Sequence, residues 1–252
     1  MAIDSKIEWC DATWNPWRGC TKVSVGCLNC YAERRAGWAG EDFGTIVRSK
    51  TTFNDPLSPK WKEPLLIFVC SLSDFFHEDV PAEWRREAWK IIYETPQHTY
   101  LLLTKRPENI AACLPVGWGG GGWNDIYGHV WLGVTAENQE MADLRIPQLL
   151  QIRTKKHFIS VEPMLGPIVF DQIKMPYEPI HGRIDWVIAG GESGPDCRLP
   201  ETDWLLGLRN QCIYAKIPFF FKQWGGTTKS PNGQWGGRVL SSRTYLEMPA
   251  GY

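Results

Sequence analysis

Short β-branched and aromatic runs alternate with segments of helical spacing along nearly the whole chain, and this repeat limits the fold more than any other feature. The runs extend from Thr13 to Trp17, Leu66 to Ser71, Thr99 to Thr104, Val130 to Thr135, His157 to Val161, Trp186 to Ala189 and Pro218 to Lys222. Each is short and apolar enough to be a buried strand. Helical spacing follows Pro81 from Ala82 to Glu94, and recurs from Gln139 to Gln151 and from Glu201 to Ala215, the last opening on acidic residues after Pro200. Strand followed by helix, repeated, calls for a parallel sheet covered by helices. The expected fold is α/β, a partial (β/α) TIM-type barrel of about six to seven parallel strands. It forms one domain over residues 1–252, with an irregular Gly/Ser-rich tail from about 225 to 252. A doubly wound open sheet is the alternative. It is disfavoured because no Gly-x-Gly-x-x-Gly joins a first strand to a helix and no Gly-Lys-Ser/Thr phosphate loop is present.

Composition narrows the class further. With 43% hydrophobic and 22% charged residues the chain reads as an ordinary globular protein that can bury a core. Its apolar runs are too short for a membrane span and no targeting stretch is recognisable, so no membrane partner and a cytoplasmic location are expected. A formal net charge of −1 argues against coating nucleic acid by charge alone. The fourteen tryptophans are read as core and loop packing in preference to base stacking. Two stretches break the rhythm, Gly37 to Lys62 and Trp118 to Trp123, and each fits either a lid or a surface insertion.

Every apolar run after the first ends in polar residues: Ser71, Ser73 and Asp74; Thr104, Lys105 and Arg106; Thr135, Glu137 and Asn138; Ser160 and Glu162; Glu192 and Ser193; Lys222 and Gln223. The ends of parallel barrel strands share one rim, where the active sites of such folds are built.

Three of the eight cysteines, Cys20, Cys27 and Cys30, fall within eleven residues directly after the first run. A scattered set would suit a core; a crowded set points to a metal. Structural zinc wants four ligands in two pairs, whereas here only one Cys-x-x-Cys pair exists and the fourth ligand would have to be Cys10 or a remote residue. A cubane iron-sulfur cluster on three thiolates leaves one iron open, and the cluster is the favoured reading over zinc or redox thiols. Cys70, Cys113, Cys197 and Cys212 read as buried small residues.

The segment Ile7-Glu8-Trp9 through Ala12-Thr13-Trp14-Asn15-Pro16 to Cys20, Cys27, Cys30 and Tyr31 resembles the phage-associated three-Cys-motif family of radical S-adenosylmethionine (radical SAM)-like proteins. Further matches are Ser71-Leu72-Ser73-Asp74-Phe75-Phe76-His77, Leu103-Thr104-Lys105-Arg106-Pro107, Ser160-Val161-Glu162-Pro163, Gly190-Gly191-Glu192-Ser193-Gly194 and Phe220-Phe221-Lys222-Gln223-Trp224-Gly225. The resemblance implies a radical SAM-like partial barrel, a 4Fe-4S cluster on Cys20, Cys27 and Cys30, and reductive cleavage of S-adenosyl-L-methionine to a 5'-deoxyadenosyl radical. An electron donor such as flavodoxin or ferredoxin is implied with it. The first cysteine gap departs from the wider superfamily, being six residues here where three is usual.

S-adenosylmethionine carries an ammonium, a carboxylate, a ribose and an adenine. Gly190, Gly191 and Glu192, followed by Ser193, are candidates for close backbone approach and for the ammonium; Ser71, Ser73 and Asp74 compete for the same role, and Glu137 or Glu162 for contact with the ribose or a substrate amine. Lys105 and Arg106 suit a carboxylate or phosphate. Lys105, Glu162 and His77 are the candidate catalytic residues. Acidic neighbours of His77 favour its protonated form, although a surface histidine at a helix entry fits equally.

The expected substrate is a nucleotide or DNA base, through the resemblance to a phage-associated family, with rearrangement of a hypermodified thymine in phage DNA as one concrete form and the host cytoplasm as the setting. The alternatives are a zinc-stabilised nucleic-acid-binding module without turnover, and a radical DNA repair lyase.

Overall fold

The computed structural model describes residues 3, 5–118, 126–175, 182–230 and 235–251. Strands β1 (Ala12–Trp14), β4 (Leu66–Val69), β5 (Thr99–Thr104), β6 (Val130–Thr135), β7 (His157–Val161), β8 (Trp186–Gly190) and β9 (Phe219–Gln223) follow one another in that order in a seven-stranded parallel sheet. This is the strand order of a partial (β/α) barrel. Helices Ala82–Glu94, Gln139–Leu149 and Thr202–Ala215 lie between strands, where the spacing predicts them. Strands β4, β6 and β8 are buried at every position, which explains why they read as unbroken apolar runs. No helix among the described residues is long and apolar enough to cross a membrane.

The first strand differs from its expected extent. Pro16 has no N–H to give a ladder, so β1 stops at Trp14. The chain resumes as β2 (Trp17–Arg18), which pairs antiparallel with β3 (Val47–Arg48) in a two-stranded ribbon. The Pro16 carbonyl serves this ribbon by accepting the Ser49 N–H at 2.9 Å. Residues 37 to 62, a candidate lid, are thereby built into the packing: Phe53 and Trp61 are buried, and the Trp14 indole N–H donates to the Phe53 carbonyl at 3.0 Å. The other candidate lid falls mostly on residues 119–125, outside the described residues, as do parts of the tail.

The chain packs as two compact units. The first comprises Met1–Lys22, Ala32–Gly133 and Ile152–Lys155, and the second Val23–Tyr31, Val134–Gln151 and Lys156–Tyr252. In the first, β4 pairs with β1 (Ala12 opposite Ile67) and with β5 (Leu66 opposite Thr99). Trp14, fully buried, meets Tyr100 edge-on at 5.9 Å.

In the second unit β8 runs between β7 and β9, with Phe158 opposite Trp186 and Val187 opposite Phe219. A register shift after Ala189 sets Gly190 opposite Gln223. Beyond it a Cβ on Gly191 would stand 1.8 Å from the Trp224 carbonyl oxygen. The Gly-Gly pair at this strand end therefore admits another stretch of main chain.

Gly191→Ala is expected to cost about 3 kcal/mol or more, because backbone rather than a mobile side chain must give way. Gly207→Ala, in the helix Thr202–Ala215 with open space around it, should add roughly 0.5–1 kcal/mol. Urea denaturation of the two variants checks the contrast.

Candidate cysteine site

Cys20 belongs to the first unit. Its loop is seated by Gly19, which has a φ of 100° and lies so close to Thr45 that a Cβ would stand 2.2 Å from the Thr45 carbonyl oxygen. No side chain fits there. After β4 the chain turns at Cys70 with φ 60°, a left-handed conformation that is unusual for a residue with a side chain. The turn brings Ser71 and Leu72 to the buried Asn15. Asn15 donates to the Ser71 hydroxyl at 3.0 Å and accepts the Leu72 N–H at 2.8 Å. Ser73 donates to the Gly19 carbonyl at 2.6 Å.

Asp74, 5% exposed, accepts the Thr104 hydroxyl at 2.8 Å, the Lys105 N–H at 3.2 Å and the Phe76 N–H at 2.9 Å. Thr104 in turn accepts the Arg106 N–H at 2.8 Å. The Arg106 guanidinium is 2% exposed. Its Nε donates to Glu78 at 2.9 Å, its Nη2 to the Thr21 carbonyl and hydroxyl at 3.0 and 2.7 Å, and its Nη1 to Cys20 Sγ at 3.5 Å. Asp74 Oδ2 lies 3.7 Å from Nη1. Arg106 is thus tied to the Cys20 loop and is not available to a substrate.

His77 is fully buried, which corrects both expectations for it. Its Nδ1 accepts the Asp79 N–H at 3.1 Å and its Nε2 lies 2.9 Å from the Thr21 hydroxyl. Burial, reinforced by the Arg106 charge, lowers its pKa against the pull of Glu78, Asp79 and Asp74. An Nδ1 that accepts marks the neutral, Nε2-protonated ring. The ring braces Thr21 beside Cys20. Lys105 is half-buried, and no partner holds its ammonium among the described residues.

Cys27 and Cys30 belong to the second unit, where two buried carboxylates at strand ends hold the segment between them. Glu137, just after β6 and fully buried, accepts the Gly26 N–H at 3.2 Å and Arg145 Nη1 at 2.8 Å. A Cβ on Gly26 would meet the Glu137 carboxyl carbon at 2.8 Å. Glu192, after β8 and 6% exposed, accepts Asn29 Nδ2 at 2.9 Å, and the Arg198 N–H, Nε and Nη2 at 2.9, 3.0 and 2.6 Å. Arg198 Nη2 also donates to the Val25 carbonyl at 2.9 Å. Burial pushes the Glu192 pKa up, but the donors from Arg198 and Asn29 outweigh it and hold the carboxyl below its ordinary value.

The remaining candidates in this unit have other settings. The Ser193 backbone bridges to Gly226. The Gly190 carbonyl accepts the Met164 N–H at 2.9 Å. Glu162, after β7, pairs with Lys222 on β9, their side chains 19% and 18% exposed. They flank the Gly190 strand end, where a Cβ would lie 3.6 Å from the Glu162 side chain.

None of the three thiols is in a disulfide, and all are half-buried. Among the described residues no group of three or more His, Cys, Asp and Glu stands together as for a single metal ion. The donor chemistry suits an iron-sulfur cluster: three thiols outside any disulfide on pinned backbone, one with a cationic N–H aimed at its sulfur.

Fold and site together define a parallel α/β protein of partial-barrel topology with a cysteine-bearing loop region pinned at strand ends. The chain belongs to DUF5131, a family described as protein of unknown function, whose model matches residues 4–249. No curated protein matches it. Among solved structures it is similar to a cysteine-to-serine mutant of spore photoproduct lyase, at 13% identity and a TM-score of 0.48, over 75% of this chain and 58% of that one. The match thus spans less than two thirds of the lyase's length.

Arg145→Met is expected to destabilise the protein by about 3–5 kcal/mol because it strands a buried carboxylate, and the double change with Glu137→Leu should recover much of that loss. Chemical denaturation of the pair measures it. The depressed Glu192 pKa implies a contribution to stability that is complete above the usual glutamate value and disappears as pH falls through the lower folded value. Acid titration of the melting temperature should show this dependence in the wild type and less of it in Glu192→Gln.

Proposed function

We propose that this chain is a radical S-adenosylmethionine enzyme whose 4Fe-4S cluster is held by Cys20, Cys27 and Cys30 and whose substrate is a nucleotide or nucleobase, with a hypermodified thymine in phage DNA as the concrete form. The observation that carries this reading is the ligand set: three thiols outside any disulfide in one short stretch following the first strand, at a spacing of six and two residues. Three thiolates leave one iron of a cubane without a protein ligand.

When bound, the cluster would supply one electron to S-adenosylmethionine, releasing methionine and a 5'-deoxyadenosyl radical that abstracts hydrogen from the substrate. Residues of the chain have separate tasks around that chemistry. Glu137 and Glu192 hold the segment at Gly26 and Asn29, and so fix where Cys27 and Cys30 can go. Asp74, through Thr104 and Arg106, does the same for Cys20. With these carboxylates occupied, ligand recognition is assigned, among the candidate residues described, to the Lys105 ammonium, suited to a carboxylate or phosphate, and to the Glu162 and Lys222 pair, suited to an amine and an anion.

Anaerobic reconstitution tests the reading. The wild type should bind about four irons with matching sulfide, and with dithionite and S-adenosylmethionine should release 5'-deoxyadenosine; Cys27→Ala should do neither. Stoichiometric zinc without iron, or deoxyadenosine no greater than in the variant, contradicts it. Nucleosides from phage DNA are then the substrates to assay first.

A further inference from the structure

Arg106 touches the proposed ligand sphere in a way that bracing a loop does not require. Its Nε and Nη2 already satisfy Glu78 and both oxygens of Thr21. Its Nη1 is directed at the sulfur of Cys20. The guanidinium is buried, planar and permanently protonated, and with Nε and Nη2 tied it has no freedom to turn its N–H away. Neither Cys27 nor Cys30 has a charged donor on its sulfur among the described residues, so the three thiols are electrostatically unequal.

We propose that Arg106 is a positioning residue that sets the reduction potential of the cluster by donating a charge-assisted hydrogen bond to the Cys20 thiolate. This rests on the reading that Cys20 is a cluster ligand. A donor on a ligating sulfur withdraws electron density from the iron it binds and favours the state with one more electron, and such bonds are among the main determinants of cluster potential. Asp74 and Glu78 lie against the same guanidinium. They balance its net charge, while the N–H directed at Cys20 Sγ, 3.5 Å away, acts on the sulfur itself. Arg106 thus eases acceptance of the electron that S-adenosylmethionine cleavage consumes, without touching substrate.

The test is an EPR-monitored redox titration of reconstituted wild type, Arg106→Lys and the double variant Arg106→Met with Glu78→Gln, the second removing both charges in case the single change leaves Glu78 unbalanced. Iron content and melting temperature are read on the same samples. In variants that keep full iron content, the midpoint should move to more negative potential. In the wild type, nitrogen hyperfine coupling from isotopically labelled arginine should appear on the reduced cluster and vanish in Arg106→Lys. An unchanged midpoint at full iron content, or no arginine coupling in the wild type, overturns this inference and leaves the cluster reading intact. A wild type that binds no iron overturns both.

Discussion

A carboxylate taken out of water must be given donors, and at the ends of β6 and β8 those donors come from the cysteine-bearing segment. Glu137 takes the Gly26 N–H and Glu192 takes Asn29, with Arg145 and Arg198 completing the charge balance. An unpaired charge in either place would be strongly destabilising. The residues on either side of Cys27 are therefore tied to the strands by interactions the second unit cannot forgo. The first unit uses the same device for Cys20, with Asp74 as the buried acceptor and Thr104 and Arg106 as the intermediaries. In both, burial makes the loop geometry a condition of stability and not merely a preference.

This arrangement redistributes the roles of the acidic residues. Carboxylates at the mouth of a parallel fold invite assignment to ligand binding, yet Asp74, Glu137 and Glu192 are each largely occupied by the protein's own donors. Glu162 and Lys222 differ: they are partly exposed, pair with one another, and lie beside the Gly190 strand end. Lys105 has its backbone tied to Asp74 while its side chain is left over. These are the residues we propose for ligand recognition.

Much of the fold is legible because strand burial writes itself into sequence as continuous apolar runs, and β5, β6 and β7 have the predicted bounds. The helix starts are legible from Pro81 and Pro200; at Gln139 the structure adds a cap, the Asn138 side chain accepting the Met141 N–H at 3.0 Å. The ribbon of β2 and β3 is not, since each strand has two residues and owes its existence to the Pro16 interruption. In the site, the three cysteines stand out by spacing alone. Their supports do not: Asn15, Gly26, Asn29, Arg145 and Arg198 are ordinary residues whose importance comes from partners as far as 173 positions away, as Arg198 is from Val25. His77 misleads for the same reason. Its acidic neighbours are visible in the sequence, while the burial that outweighs them is not.

We propose that Cys20, Cys27 and Cys30 hold a cubane with one iron left open. Mössbauer spectroscopy of protein reconstituted with isotopically enriched iron, recorded with and without S-adenosylmethionine, tests it most directly. The expected result is a cubane spectrum in which one iron site alone changes when S-adenosylmethionine is added. A spectrum that is indifferent to S-adenosylmethionine, or iron that is not in a cubane, would contradict it.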